Sequence, residues 1–255
     1  MLFEKGSAHT FLSAEELRDG LMTALGALGT IRKMLIVPPD ITRLQSRAGM
    51  LTRIAYQRDP AAVSAILPAL GTHCPMSERE VEVMYGDLPR TLFRAHNWRT
   101  GCAHVGAVPA DFVNEVSVGA VDYPVPVNVN RLLFEKNLDC ILSISQVVPH
   151  EVAGMAGGGK NLFVGVGGAE NIHKSHFLGA AYGIERIMGK VDSPVRKVID
   201  YAIKKFLSVL PIVHAITVVG RDADGTLKTR GLFVGRGEEC YRRAAALSRK
   251  INIHV

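Results

Sequence analysis

The feature that most constrains this chain is a set of short apolar runs at residues 34–37, 64–70, 139–145 and 212–220, separated by stretches with helical spacing. Runs this short and apolar suit buried strands, and strands alternating with helices predict an α/β fold. Ser13-Ala-Glu-Glu16 and Ser77-Glu-Arg-Glu80 are capping boxes, in which the serine oxygen and the glutamate carboxylate take up N–H groups at a helix start. They predict helices at 13–28, with Leu17, Leu21, Leu25 and Leu28 on one face, and at 77–85. Further helices are expected at 47–57, 176–188, 194–210 and 237–250. Asp222-Ala-Asp-Gly225 predicts a turn joining the strand at 212–220 to a returning strand at 227–234. Residues 251–255 read as a strand that begins and then stops, as in a fragment of a longer protein.

At 255 residues the chain can bury a substantial core, and its 47% hydrophobic content excludes wholesale disorder. No apolar run approaches the roughly 20 residues of a membrane span. The N-terminus lacks the basic segment and apolar core of a secretory signal, so a cytoplasmic protein without a membrane partner is expected. The net charge of +6 is scattered, densest at Arg196-Lys197, Lys204-Lys205 and Arg242-Arg243. No basic stripe interleaves with aromatics, so an anionic small molecule is the expected partner rather than nucleic acid. Cys74, Cys102, Cys140 and Cys240 lie far apart with no Cys-x-x-Cys, which predicts free thiols rather than a disulfide framework or a cysteine zinc site.

Three loops follow strand candidates: Pro38-Pro-Asp-Ile-Thr-Arg43, Gly71-Thr-His-Cys-Pro75, and the long stretch from Gln146 to Lys160. Ligands of α/β sheets bind where such loops meet, at the carboxyl ends of strands. Seven glycines fall between Gly154 and Gly168. Gly157, Gly158 and Gly159 would let a bulky ligand approach the backbone and turn N–H groups toward phosphate oxygens. Lys160 follows them, as a phosphate counter-charge or as a nucleophile forming a covalent tether. His173 and His176 share a helical face, and one of them could bind a metal. His73 and His150 stand just after strands beside glycine or proline, where chemistry concentrates; His9, His96, His104, His214 and His254 read as surface or core residues. Asp40 could simply start a turn, and Arg43 could be structural. Gly154 to Lys160 fits most of a P-loop, but Asn161 stands where that motif needs Ser or Thr for Mg²⁺. A P-loop-like phosphohydrolase and a non-catalytic metal- or nucleotide-binding module are the alternative readings.

Taken together, Pro39-Asp-Ile-Thr-Arg43, Gly71-Thr-His-Cys-Pro-Met76, His150-Glu-Val-Ala-Gly-Met-Ala-Gly-Gly-Gly-Lys160 and His176, sixteen residues beyond Lys160, resemble the nickel-dependent lactate racemase family. Weaker support comes from His96-Asn-Trp98 and residues 108–116. The resemblance implies a Rossmann-like α/β domain, a mixed sheet flanked by helices, without the family's C-terminal domain. It places a cofactor-binding catalytic domain at 1–236, and a hinge helix with the start of the missing domain at 237–255. It implies interconversion of the two hands of a 2-hydroxy acid by proton-coupled hydride transfer. The implied cofactor is nickel in pyridinium-3,5-bisthiocarboxylic acid mononucleotide, a nickel-pincer nucleotide built by separate biosynthesis proteins. By the same resemblance Lys160 tethers the cofactor, His176 ligates nickel, and His73 and His150 are the paired acid/base groups. Asp40, Ile41, Thr42 and Arg43 contact the cofactor, which lies close to Gly157, Gly158 and Gly159. Cys74 stands where family members usually carry arginine, which leaves the particular 2-hydroxy acid open.

Overall fold

The computed structural model describes residues 1–253. In chain order its elements are β1 (Phe3–Gly6), α1 (Ala14–Gly26), β2 (Met34–Val37), α2 (Ala48–Arg58), β3 (Val63–Ile66), α3 (Glu78–Tyr85), β4 (Cys102–Val108), α4 (Ala110–Ser117) and β5 (Val125–Asn130). They continue with β6 (Cys140–Gln146), β7 (Pro149–His150), β8 (Gly154–Met155), α5 (Ala169–Tyr182), α6 (Pro194–Ala202), β9 (Ile212–Arg221), β10 (Leu227–Gly235) and α7 (Gly237–Asn252). Six strands form one mixed sheet in the order β1-β10-β9-β6-β2-β3, with β3, β2, β6 and β9 parallel to one another, β10 antiparallel to β9, and β1 antiparallel to β10. Side chains alternate across it. Met34 and Ile36 join Leu142 and Ile144 in a core under α1, α2 and α3. Leu35, Val37 and Ile141 join a core formed with α5, α6 and the small β4–β5 sheet. Both capping boxes form as expected, at Ser13 with Glu16 and at Ser77 with Glu80.

The order of the parallel strands matters for function. The crossover from β2 to β3 runs through α2 on one face, and that from β6 to β9 through α5 and α6 on the other. β2 and β6 are neighbours, so the chain diverges from their carboxyl ends and leaves a crevice between them.

Several expectations change in detail. The run at 64–70 leaves the sheet after Ile66, although the Leu67 and Ala69 N–H groups still donate to the carbonyls of Ile36 and Pro38. The helix expected at 176–188 starts at Ala169, because the glycines at 165–168 conceal its beginning, and it ends at Gly183, whose φ of 107° breaks the turn. The helix at 194–210 is α-helical only to Ala202 and widens into a π turn, Ile203–Leu207. Ile251 and Asn252, expected in a strand, are the last residues of α7, while His254 and Val255 lie outside the described residues. β1, β4, β5 and α4 were not expected. β4 is only partly buried and is interrupted by Gly106, so it lacks the apolar density of the central strands. The helix at 237–252 packs Cys240, Tyr241, Ala244 and Ala245 against Ile216, Val218 and Phe233 of the sheet.

Candidate active site

The loops after β2, β3 and β6 meet over the crevice and enclose a cleft of about 300 Å³. Its lining includes Asp40, Thr42, Arg43, His73, His150, Glu151, Gly157, Lys160, Asn161 and His176. Residues 120 positions apart in the chain, Asp40 and Lys160 among them, are thus brought together by the strand order rather than by local sequence.

Asp40 is buried and caps the short 3-10 turn that follows β2, its Oδ1 accepting from the Thr42 N–H at 3.2 Å and from the Thr42 hydroxyl. Its other oxygen lies 2.6 Å from His73 Nδ1. The carboxylate side chain is 6% exposed and the imidazole 58%, so a buried group orients an accessible one. Nδ1–H donates to Asp40, which leaves Nε2 as the ring atom free to take up a proton. The sequence reading gave Asp40 to the cofactor and missed this pair, because thirty-three residues separate the two partners.

His150 is held differently. Its Nδ1 accepts from the N–H groups of Val152 at 3.1 Å and Ala153 at 3.2 Å. Burial first, and then the nearby Lys160 charge, push its pKa down to about 4. The neutral ring therefore carries its proton on Nε2. Nε2 is the outward ring atom of both histidines, with a lone pair at His73 and a proton at His150. His150→Ala leaves two backbone N–H groups without their acceptor and is expected to cost about 2 kcal/mol in urea unfolding; His150→Asn, whose Oδ1 can replace Nδ1, recovers most of it. The sign with pH follows from the depressed value. Below pH 6.5 the unfolded chain binds the proton and the folded chain does not, so this stability is lost as pH falls from 6.5 toward 4. Acid titration of the two variants against the parent measures it.

Lys160 starts a π-helical turn, Asn161–Gly165. Burial, then the charges of Arg196 and Arg43, lower its ammonium to about 8, which raises the share of nucleophilic free amine near neutral pH. Asn161 explains why serine or threonine is absent after the lysine. Its buried Nδ2 donates to Val37 O at 2.9 Å and Ser143 Oγ at 3.1 Å, with Ile144 O at 3.3 Å. It pins the lysine turn to the ends of β2 and β6. The hairpin of β7 and β8 also intervenes between β6 and the glycines, so the strand–loop–α-helix context of a P-loop is not formed.

Packing gives the glycines a cause beside the one expected. Only Gly157 of the three lines the cleft. A Cβ on Gly157 would sit 2.8 Å from Gln146 O, one on Gly158 2.9 Å from the Tyr241 ring, and one on Gly159 2.8 Å from Ile203. The Gly158 N–H is taken by Ser145 Oγ. Packing behind the loop requires glycine at 158 and 159. Ile41, expected at the cofactor, instead packs its side chain on the core under the 3-10 turn. Arg196, read as part of a surface basic cluster, is 1% exposed and donates through Nη2 to Met155 O at 2.8 Å and Gly157 O at 3.1 Å, clamping the glycine turn from below. No helical period marks it as buried, since one arginine beside a lysine reads as solvated.

His176 donates Nδ1–H to Ile172 O at 2.7 Å, so Nε2 keeps its lone pair for a metal. His173 turns away and meets Trp98 edge-on at 6.0 Å. Among the described residues no group of three or more His, Cys, Asp or Glu side chains is placed to hold a metal ion. His96, buried between Gly167 O and the Asn130 amide, is structural as expected. The four cysteines are free thiols, and Cys74 is exposed. No helix among the described residues is long and apolar enough to cross a membrane.

The sequence model of the lactate racemase N-terminal domain matches residues 24–184, which carry every residue of this cleft. The chain belongs to the lactate racemase N-terminal domain family. Among solved structures, a protein from Thermotoga maritima is similar over 94% of this chain and 58% of its own, with 30% identity and a TM-score of 0.81. The lactate racemase apoprotein of Thermoanaerobacterium thermosaccharolyticum is similar over 93% of this chain and 55% of its own, with 21% identity and a TM-score of 0.69, a likeness of fold. The chain therefore spans less than two thirds of the length of either protein. No curated protein matches it.

Proposed function

We propose that this chain is the cofactor-binding part of a 2-hydroxy acid racemase or epimerase. The observation that carries the reading is the convergence of His73, His150, Lys160 and His176 on one cleft at the strand divergence. The residues fit a lysine-tethered nickel-pincer nucleotide: Lys160 offers an amine of lowered pKa for the link, and His176 offers a free Nε2. When bound, such a group supplies an acceptor for the C2 hydrogen, which leaves as hydride. The chain's own residues do the proton work. His73 Nε2 takes the substrate hydroxyl proton while Asp40 holds the ring and stabilises the imidazolium. Arg43 faces the cleft and makes no ion pair among the described residues, so its guanidinium is free for the substrate carboxylate or a cofactor phosphate. His150 donates from Nε2 to the substrate's oxygen. To serve as base for the opposite enantiomer, its ring turns off the Val152 and Ala153 amides.

The family assignment and this cleft support a racemase over the phosphohydrolase and the non-catalytic module. Proteins that build the cofactor are the expected partners, and a cytoplasmic setting suits the free thiols. Intact-mass spectrometry tests the tether directly. Protein from its native host is expected to carry an adduct on Lys160 that Lys160→Ala loses, while a host without the biosynthesis proteins yields the bare mass. A bare Lys160 in native protein would overturn the reading.

A further inference from the structure

Pro38 and Pro39 carry no N–H, so their carbonyls are the backbone groups that can tie down the end of β2 where Asp40 is presented. Four successive carbonyls there are each taken. Ile36 O accepts from the Leu67 N–H at 2.8 Å, and Pro38 O from the Ala69 N–H at 2.7 Å. Val37 O accepts from Asn161 Nδ2 at 2.9 Å. Pro39 O, which belongs to the peptide unit of Asp40, accepts from the Tyr85 hydroxyl. The first three donors come from β3's continuation or from the lysine turn. Tyr85 differs: it is a fully buried side chain of α3, outside the lining of the cleft.

The seat of Tyr85 is set by the meeting of two helices. A Cβ on Gly49 of α2 would sit 1.8 Å from Met84 O, so α2 and α3 touch backbone to backbone one residue before Tyr85. The ring packs on Phe93, with centroids 5.2 Å apart. Burial, and then the Asp40 charge, hold the phenol well above its usual pKa, so the hydroxyl stays a donor. That hydroxyl fixes the plane of the Pro39–Asp40 peptide, while the Thr42 N–H donates to Asp40 Oδ1. A carboxylate whose backbone and first oxygen are both held has its second oxygen aimed, here at His73 Nδ1 2.6 Å away.

We propose that Tyr85 is a positioning residue for the acid/base centre: its hydroxyl sets the Pro39–Asp40 peptide, and through it the Asp40 carboxylate that selects the Nδ1–H tautomer of His73. The inference rests on the role given to His73 above, but its main test needs no cofactor. ¹⁵N NMR of the 255-residue chain at mildly alkaline pH reads the tautomer of the neutral His73 ring. The parent is expected to hold the proton on Nδ1. Tyr85→Phe keeps the ring and removes the hydroxyl, and the ratio of Nδ1–H to Nε2–H is expected to fall about fivefold. Phe93→Leu loosens the same packing and leaves the hydroxyl in place, so it should lower the urea midpoint without moving the ratio. In holoprotein, Tyr85→Phe is expected to lower kcat about tenfold with KM nearly unchanged. A parent without the Nδ1–H preference, an unchanged ratio or undiminished kcat in Tyr85→Phe, or an equal shift of the ratio in Phe93→Leu would overturn the proposal. So would a Tyr85→Phe chain that does not fold, since the hydroxyl would then serve folding alone. None of these results bears on whether Lys160 carries an adduct, which the intact mass decides.

Discussion

In holoprotein carrying this domain, His73→Ala is expected to lower turnover of a 2-hydroxy acid by about a thousandfold, the scale lost when a positioned general base is removed. The ring is largely exposed, but the change leaves the buried Asp40 Oδ2 without its partner, so a loss of about 1–2 kcal/mol in urea unfolding is expected beside the kinetic effect, and turnover is compared where both proteins remain folded. Asp40→Asn tests the second half of the pair. An amide can still accept from Nδ1–H, but it carries no charge to stabilise the imidazolium, and its own N–H₂ can turn toward the ring and select the other tautomer. Turnover is expected to fall between about tenfold and a thousandfold, with a much smaller change in KM. The ¹⁵N spectrum gives a readout that a merely structural role would not move: His73 protonated at Nδ1 in the parent, with that preference lost in Asp40→Asn. Chiral analysis of several 2-hydroxy acids, each supplied as one enantiomer, measures the turnover.

Arg196→Met is expected to destabilise the fold by about 3 kcal/mol or more in urea unfolding. Arg196 donates to Met155 O and Gly157 O, lies 3.9 Å over the Tyr241 ring, and faces Asp200. Burial already pushes the Asp200 carboxyl up to about 6, and the guanidinium is what opposes that rise. Without it, two carbonyls lose their donor and a buried carboxyl loses its cation. Arg196→Lys restores charge but not the planar fork, and should recover only part of the loss. The same variants should change Lys160, because the Arg196 charge helps to lower its ammonium. Labelling of Lys160 by an amine-reactive reagent should therefore shift to higher pH in Arg196→Met.

Much of the frame was legible from residue pattern. Met34–Val37 and the strand at 140–146 are dense apolar runs, and capping boxes at Ser13 and Ser77 mark helix starts by local chemistry. The cleft was legible because its loops follow those runs directly. What escaped the pattern depends on partners far along the chain. Asp40 and His73 pair across a strand crossover, Asn161 reaches back to Val37, and Arg196 reaches under Met155 and Gly157. The glycine run shows the same limit from the other side. Its composition suggested room for a ligand, but Tyr241, more than eighty residues later, and Ile203 set the need at Gly158 and Gly159. A residue's type reports that space is tight without reporting which side is crowded.

That crowding joins α7 to Lys160. The Tyr241 ring backs Gly158 and its hydroxyl reaches toward Met155 O, so the C-terminal segment is a buttress for the amine's pedestal. A shortened protein ending at residue 236 would keep every residue of the cleft and still lose the ring that backs the turn before Lys160.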